Sequence, residues 1–441
     1  MKDDSRINRR EFVSTTTVAT AAAATGLASS SLAAPKDRLA LEGGAKAVTE
    51  RAPAWKRWGA PEAERLDDLI EQSSLFYWKG PQTTAFVDRF KKQYPNTHVQ
   101  TCSSGTAALH IAIAAAGVGP GDEVITSPIT DIGTAIGVLF QQAVPVFADV
   151  EPDTYNLDPD DVARKITPRT RAIIPVHLAG NACDMDRLRQ LADRHSIALI
   201  EDAAQAWGAH YGGQPVGSVG DLVCFSMMNS KHISTGDGGV VASSHEKFGP
   251  LLQRFGDKGT DRVSREPVQW LAANYRMSEA QAAIGAAQLD RLEGIAAKRN
   301  RLGRLFTEGI QGLPGVTPHR ERAEDRCSYW FYMFRVDPGK FRCDRAQLVK
   351  AMRAEGVGAV AGYIRRPLYA EKMFQEHSFF AGQWPIRDAG KTSMDYRQVK
   401  CPVAEAALET GIRLRLTENM TEAHIRQLTA GVSKVIHHYA A

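Results

Sequence analysis

Three short segments of this 441-residue chain gather residue types that can do chemistry. Phe225-Ser226-Met227-Met228-Asn229-Ser230-Lys231-His232 puts a lysine just past an apolar run, ahead of the glycines of Thr235-Gly236-Asp237-Gly238-Gly239. An amine desolvated there has a lowered pKa and becomes a Schiff-base candidate; a solvated loop lysine is the competing reading. Ile197-Ala198-Leu199-Ile200-Glu201-Asp202-Ala203-Ala204-Gln205 ends an apolar run on a carboxylate, with an amide three residues on. Such a carboxylate can hold a heteroaromatic nitrogen protonated while the amide reaches a neighbouring oxygen. Asp202 as a helix N-cap is the alternative, and Glu201 reads as structural. Cys102-Ser103-Ser104-Gly105-Thr106-Ala107-Ala108-Leu109 is a small-residue turn opening a helix. Its N–H groups and positive dipole end make either a phosphate seat or an ordinary cap.

These segments must be carried by regular elements. Between residues 100 and 245, short β-rich runs alternate with helical patterns. The strands are expected at Glu123–Ser127, Val144–Asp149, Ala172–His177, Ile197–Glu201, Leu222–Ser226 and Gly239–Ser243. Helices are expected at Thr106–Ala116, at Asp184–His195 and after Thr130. Apolar strands alternating with helices imply a mainly parallel sheet covered on both faces, with its site outside the carboxyl ends of the strands. Residues 251–275 read as a long polar loop, and Met277 to about Leu313 as one strong helix with a break near Gly294. After Pro314 the pattern shifts to a strand (Trp330–Val336) and helices (Asp344–Glu355, Thr421–His437), which marks a smaller C-terminal α+β domain. The expected division is 1–33, 34–314 and 315–441.

Composition excludes several classes. With 43% apolar and 24% charged residues the chain is globular, and a net charge of +4 argues against a nucleic-acid partner. The six cysteines lie far apart with no C-x-x-C pair, so neither a zinc site nor a disulfide framework is expected. From Phe12 to Pro35 no residue is charged, yet the run is mostly Ala, Ser and Thr and too weakly apolar for a stable membrane span. Asn8-Arg9-Arg10-Glu11-Phe12-Val13 resembles a twin-arginine export signal, and Ser31-Leu32-Ala33 offers a signal-peptidase site ahead of Pro35. An exported, periplasmic enzyme starting at Ala34 follows; a leader with a chance arginine pair, left in the cytoplasm, is the other reading.

Taken in order, phosphate seat, Asp-x-x-Gln and Ser-x-x-x-x-Lys before a Gly-rich strand resemble the pyridoxal-phosphate sites of fold-type I aminotransferases. The wording is most similar to the DegT/DnrJ/StrS sugar aminotransferases. Further matching segments are Pro120-Gly121-Asp122-Glu123, Pro175-Val176-His177-Leu178, Val216-Gly217-Ser218-Val219-Gly220-Asp221 and Asn274-Tyr275-Arg276-Met277. The resemblance implies an α/β fold-type I transferase: a large domain on a mainly parallel, seven-stranded-type sheet, with a smaller C-terminal α+β domain. It implies pyridoxal 5'-phosphate as cofactor, with Lys231 forming the Schiff base and shuttling the proton. Asp202 would pair with the pyridinium nitrogen and Gln205 with the ring's 3-oxygen. Gly105, Thr106, Ala107 and Ser226 would hold the phosphate. Asn274 would reach the neighbouring subunit's cofactor in a homodimer.

The same resemblance implies transfer of an amino group from Glu or Gln to a keto-sugar or keto-cyclitol, through pyridoxamine phosphate. A binding protein with a sensory task and little turnover is the alternative class. One departure stands out: where many relatives carry an aromatic ring that stacks on the cofactor, this chain has Asp131. It is either a helix cap or a cofactor contact. Arg365 and Arg366 are candidates for a diphosphate or the donor carboxylate, or for surface ion pairs. The wording around Pro367 and Cys401 leans toward the inosose and aminobenzoate branch.

Overall fold

The computed structural model describes residues 38–441; the twin-arginine and cleavage expectations fall on residues outside that range. Seven strands form the central sheet: β1 (His98–Cys102), β2 (Glu123–Thr126), β3 (Val144–Phe147), β4 (Thr170–Ile174), β5 (Ala198–Asp202), β6 (Leu222–Ser226) and β7 (Gly239–Ser243). Their order is β1-β7-β6-β5-β4-β2-β3, parallel from β3 across to β6 and antiparallel at β7 and β1. Every residue of β2, β3, β5, β6 and β7 is buried, as expected of strands covered on both faces.

Helices α1 (Ala60–Ile70), α2 (Pro81–Gln93), α3 (Gly105–Ala115), α4 (Gly133–Phe140) and α5 (Met185–His195) belong to this half, with α6 (Glu279–Leu289). Helix α3 starts at Ser104, whose Oγ accepts from Ala107 N at 3.0 Å, and is buried almost all round against the sheet. Helix α5 is capped by Asp184 and buries only Met185, Leu188, Leu191 and Ala192. It is thus an amphipathic cover, whereas α3 is internal.

Two expectations need correction. The stretch 251–275 is not a continuous loop, because Leu251–Gly256 is helical. Leu252 is buried there with the α3 cluster, a tertiary contact that the glycines and proline of the segment mask in the sequence. The long helix after Met277 breaks at Asp290–Arg291, not at Gly294, giving α6 and α7 (Leu292–Ile310). At that junction Gln288 and Arg291 turn their side chains to the Arg57 carbonyl and to Glu62, so the docked N-terminal arm sets the break.

Beyond residue 315, β8 (Val316–Thr317), β9 (Tyr332–Val336), β10 (Ala359–Ala361) and β11 (Gly411–Leu414) form an antiparallel sheet in the order β8-β9-β11-β10. Helices α7, α8 (Arg345–Ala354) and α9 (Glu422–Tyr439) supply the apolar side chains of its core. The chain crosses between the halves twice. Leu39 and Val48 of the arm pack into the core of the C-terminal sheet, and Ala40 N and Ala47 N donate to Glu355 at 2.7 and 2.9 Å. Conversely, Leu368, Phe374 and Tyr396 pack with β3, and Tyr396 OH donates to the Pro145 carbonyl at 2.9 Å. Among the described residues no helix is long and apolar enough to cross a membrane.

Candidate active site

The register of the sheet brings the three segments to one level. Gly239 pairs with Cys102 on one side and with Ser226 on the other, so β1, β7 and β6 meet where α3 begins. Two glycines make this approach possible. A Cβ on Gly239 would lie 2.2 Å from the Ser104 carbonyl oxygen, and one on Gly105 would lie 2.6 Å from Ser226 Cβ. One strand over, Asp202 ends β5 in register with Cys224. A cleft of about 180 Å³ opens at these strand ends, lined among others by Gly105, Thr106, Asp202, Gln205, Ser226 and Lys231. Six of the eight residues that the resemblance assigns to the cofactor therefore share one cavity.

Lys231 is 6% exposed, in a stretch between β6 and β7 that is neither strand nor helix. Burial lowers its ammonium pKa to about 8, against the opposing pull of Asp202 and Asp131. Its Nζ lies 3.7 Å from the centre of the Trp330 ring, a cation–π approach at a desolvated site. Asp202 is buried, which pushes its carboxyl up although Thr134, the Ala204 amide and Lys231 favour the anion. Thr134 Oγ1 donates to Asp202 Oδ2 at 2.8 Å, and Ala204 N to Oδ1 at 3.1 Å. No helix begins directly after Asp202, so the Ala204 contact is a turn within the chain and not an N-cap, and the carboxylate lines the cleft. Gln205 is held at both ends: Oε1 accepts from Ala179 N at 2.9 Å and Nε2 donates to Tyr363 OH at 3.2 Å.

Two of those eight residues are not part of the cleft lining. Ala107 has its N–H engaged by Ser104 Oγ, which leaves the Gly105 and Thr106 amides as the donors at the helix start without an acceptor among the described residues. Asn274 is exposed and is not among the residues lining the cleft; its Oδ1 accepts from Arg276 Nε at 2.7 Å. Asp131 accepts from Gly133 N at 2.9 Å just ahead of α4, and it lines the cleft. Arg365 and Arg366 are exposed and outside the cleft lining, Arg366 lying 3.8 Å from Glu371.

Sequence reasoning missed Trp330, Thr134 and Met228 as cleft residues. Trp330 arrives from the segment just before β9, far away in sequence, and no local pattern marks it. A larger hollow lies between α7 and residues 318–323, but it contains no Ser, Cys or Lys, and its Arg304 and Glu321 pair with each other at 3.1 Å. No group of three or more His, Cys, Asp or Glu able to hold a metal occurs among the described residues.

Residues 59–433 match the model of the DegT/DnrJ/EryC1/StrS aminotransferase family. The chain is 34% identical over 356 residues to a GDP-perosamine synthase of Caulobacter vibrioides, covering 80% of this chain and 90% of that protein. It is also 34% identical over 380 residues to a putative L-glutamine:3-amino-2,3-dideoxy-scyllo-inosose aminotransferase of Streptoalloteichus tenebrarius, covering 84% and 90%. Among solved structures it resembles a 3-amino-5-hydroxybenzoic acid synthase, with a TM-score of 0.77 and 28% identity, over 89% of this chain and all of that one. The chain belongs to the DegT/DnrJ/EryC1/StrS aminotransferase family.

Proposed function

We propose that this family member moves an amino group from Glu or Gln to a keto-sugar or keto-cyclitol, with pyridoxal 5'-phosphate as cofactor. The observation that carries the reading is one buried lysine with a pKa lowered to about 8, sharing a cleft with a buried carboxylate and an oriented amide. The cleft suits the cofactor's three functional ends. The unengaged Gly105 and Thr106 amides at the start of α3, with the Ser226 hydroxyl nearby, suit a phosphate. Asp202, held by Thr134, would keep a ring N–H proton in place. The free N–H of the Gln205 amide would face the ring oxygen.

When bound, the cofactor supplies an electron sink for a carbanion. The protein's share is positioning and proton transfer. Lys231 Nζ would be the amine that holds the cofactor's aldehyde carbon, with loss of water, and when freed it would carry a proton between the substrate carbon and the cofactor. Burial of Nζ under Trp330 keeps water from that proton. Asp131 stands where many relatives would carry a stacking ring, and among the described residues the aromatic face lining the cleft is Trp330.

Among the described residues, Asp131, Asp202 and Asp237 line the cleft with Lys231 as the one cation in the lining. Carboxylates repel a diphosphate but accept hydroxyl groups, which favours a keto-cyclitol over a nucleotide-linked sugar. The test is a panel of keto-sugars and inososes assayed with Gln and with Glu, amine products being detected by mass. Amination of an inosose is the expected result; no aminated product from any pair overturns the reading. Nothing in the cleft favours the regulatory alternative, and the named relatives are a synthase and an aminotransferase.

Two further parts of the proposal rest on other features. A homodimer is supported by the apolar residues Val263, Val268 and Leu271, 78%, 62% and 98% exposed on the segment leading to Asn274. In it Asn274 would reach the neighbouring cofactor phosphate. Export is supported by Arg9-Arg10 and Ser31-Leu32-Ala33 alone. A native product starting at Ala34 in the periplasm is the expected finding, and full-length protein confined to the cytosol is the contrary one.

A further inference from the structure

The lysine-bearing stretch between β6 and β7 contains no helix or strand, yet Lys231 must be held to a fraction of an ångström for proton transfer. Its backbone shows how. The four consecutive carbonyls from Asn229 to His232 all accept hydrogen bonds from side chains outside the loop. The Arg57 guanidinium donates to the carbonyls of Asn229, Lys231 and His232, the last at 3.1 Å. The remaining one, Ser230, accepts from Trp330 Nε1 at 2.7 Å. None of these four carbonyls takes a backbone N–H from elsewhere among the described residues.

Arg57 is itself fixed. It is 8% exposed, and its own carbonyl accepts from Gln288 Nε2 and from Arg291 Nη2, each at 2.9 Å, at the α6–α7 junction. Its guanidinium lies 4.4 Å from the centre of the Trp55 ring, whose Nε1 donates to Glu418 at 2.6 Å. Arg299 pairs with the same Glu418, at 2.6 Å. Burial lowers the Arg57 pKa to about 10, with Glu418 opposing and Arg299 and Arg415 adding to the shift. A buried guanidinium that faces three carbonyls rather than a carboxylate is costly unless those bonds are needed.

We propose that Arg57 is a positioning residue for Lys231, and that Arg57 and Trp330 form a two-sided brace that fixes the loop before the cofactor is bound. Resting on the aminotransferase reading, it adds a part that neither the family match nor the three sequence segments contain. The fork geometry matters as much as the charge, since one planar guanidinium spans carbonyls that a single ammonium cannot. The N-terminal arm is thereby part of the active-site architecture. Its far end is tied to Glu355 of the C-terminal half, and its near end holds the loop of the other half.

Hydrogen exchange on the full-length chain, cofactor-free and loaded with pyridoxal phosphate, reads the brace directly. In Arg57→Gln the amides of residues 229–235 are expected to exchange at least ten-fold faster, with those of β5 unchanged. The absorbance change of the loaded protein on adding Glu or Gln is expected to slow at least ten-fold. Arg57→Lys falls between, and Arg415→Gln, which removes the guanidinium 4.5 Å from the Trp55 ring but touches no loop carbonyl, stays at the wild-type level. Wild-type exchange in the loop of Arg57→Gln overturns the brace, as does acceleration spread evenly over the chain. Should Arg57→Gln not fold, Arg57→Lys decides by the same loop amides. If wild-type protein itself shows no absorbance change with either donor, the aminotransferase reading fails, while the exchange data still report on the brace.

Discussion

Glu201 and Asp202 are consecutive, both buried, both carboxylates, and they point to opposite faces of the end of β5. Glu201 is saturated. His177 Nε2 donates to it at 2.9 Å, and the amides of Gly217, Val219 and Gly220 add three more bonds. His177 Nδ1 accepts from Cys183 N at 3.1 Å, so the imidazole proton sits on Nε2. Burial opposes the Glu201 anion, but these donors outweigh it and hold its carboxyl below the usual range. Asp202 has two donors and an open cleft, and its carboxyl is pushed up instead. The same chemistry, turned by one residue, thus makes a structural post on one face and an unfinished site on the other. An incompletely satisfied buried group is where a ligand is needed.

The largest effect expected from breaking this division is at the lysine that Asp202 faces. Lys231→Met removes amino transfer, with turnover falling about a thousand-fold or more. The same change is expected to stabilise the cofactor-free chain. The folded pKa of about 8 lies below the ordinary 10.5, so the native state binds fewer protons than the unfolded chain between those values. Wild-type stability therefore rises with pH across that window, and below it the buried ammonium costs about 3 kcal/mol. Denaturant unfolding of both proteins at pH 7 and pH 11 checks this, the difference between them closing at the higher pH. Cofactor capture by the wild-type chain is likewise expected to speed up as pH rises through about 8.

Next comes the pair itself. Asp202→Asn is expected to fold with near-wild-type stability and lose about 10²–10³-fold in the rate of the donor-driven absorbance change, because the amide cannot hold a ring proton as the anion does. Glu201→Gln is the mirror image. Its amide cannot accept all four bonds, so stability drops by about 3 kcal/mol while the rate per folded molecule stays within about threefold. An Asp202→Asn chain with the wild-type rate, or a Glu201→Gln chain that folds well but turns over slowly, would erase the distinction. Smallest is Gln205→Ala, for which about a ten-fold loss in the same rate is expected from removal of one oriented amide.

What the sequence made legible follows the same division. Local chemistry was visible. Asp202 and Ser226 end strands that announce themselves by short apolar runs, Gln205 and Lys231 follow in the turns beyond them, and α3 opens at the small-residue turn that marks it. The strands Leu222–Ser226 and Gly239–Ser243 keep their expected bounds. The residues that complete the site were not visible, because they come from afar. Trp330 enters from the C-terminal half and Arg57 from the N-terminal arm, and neither carries a periodic or motif signal. The misplaced helix break has the same origin: Gly294 looks like a breaker, but the docking of Arg57 and Glu62 on Gln288 and Arg291 sets the junction. Tertiary contacts over more than a hundred residues leave no mark in a local window.

The central claim is that Lys231 is the amine of this site, and one measurement addresses it most directly. Full-length protein loaded with pyridoxal phosphate is reduced with borohydride, digested, and its modified peptide sequenced by mass spectrometry. The expected result is the reduced cofactor on Lys231 alone, lost in Lys231→Met. Cofactor attached to another lysine, or found on none, would contradict the account.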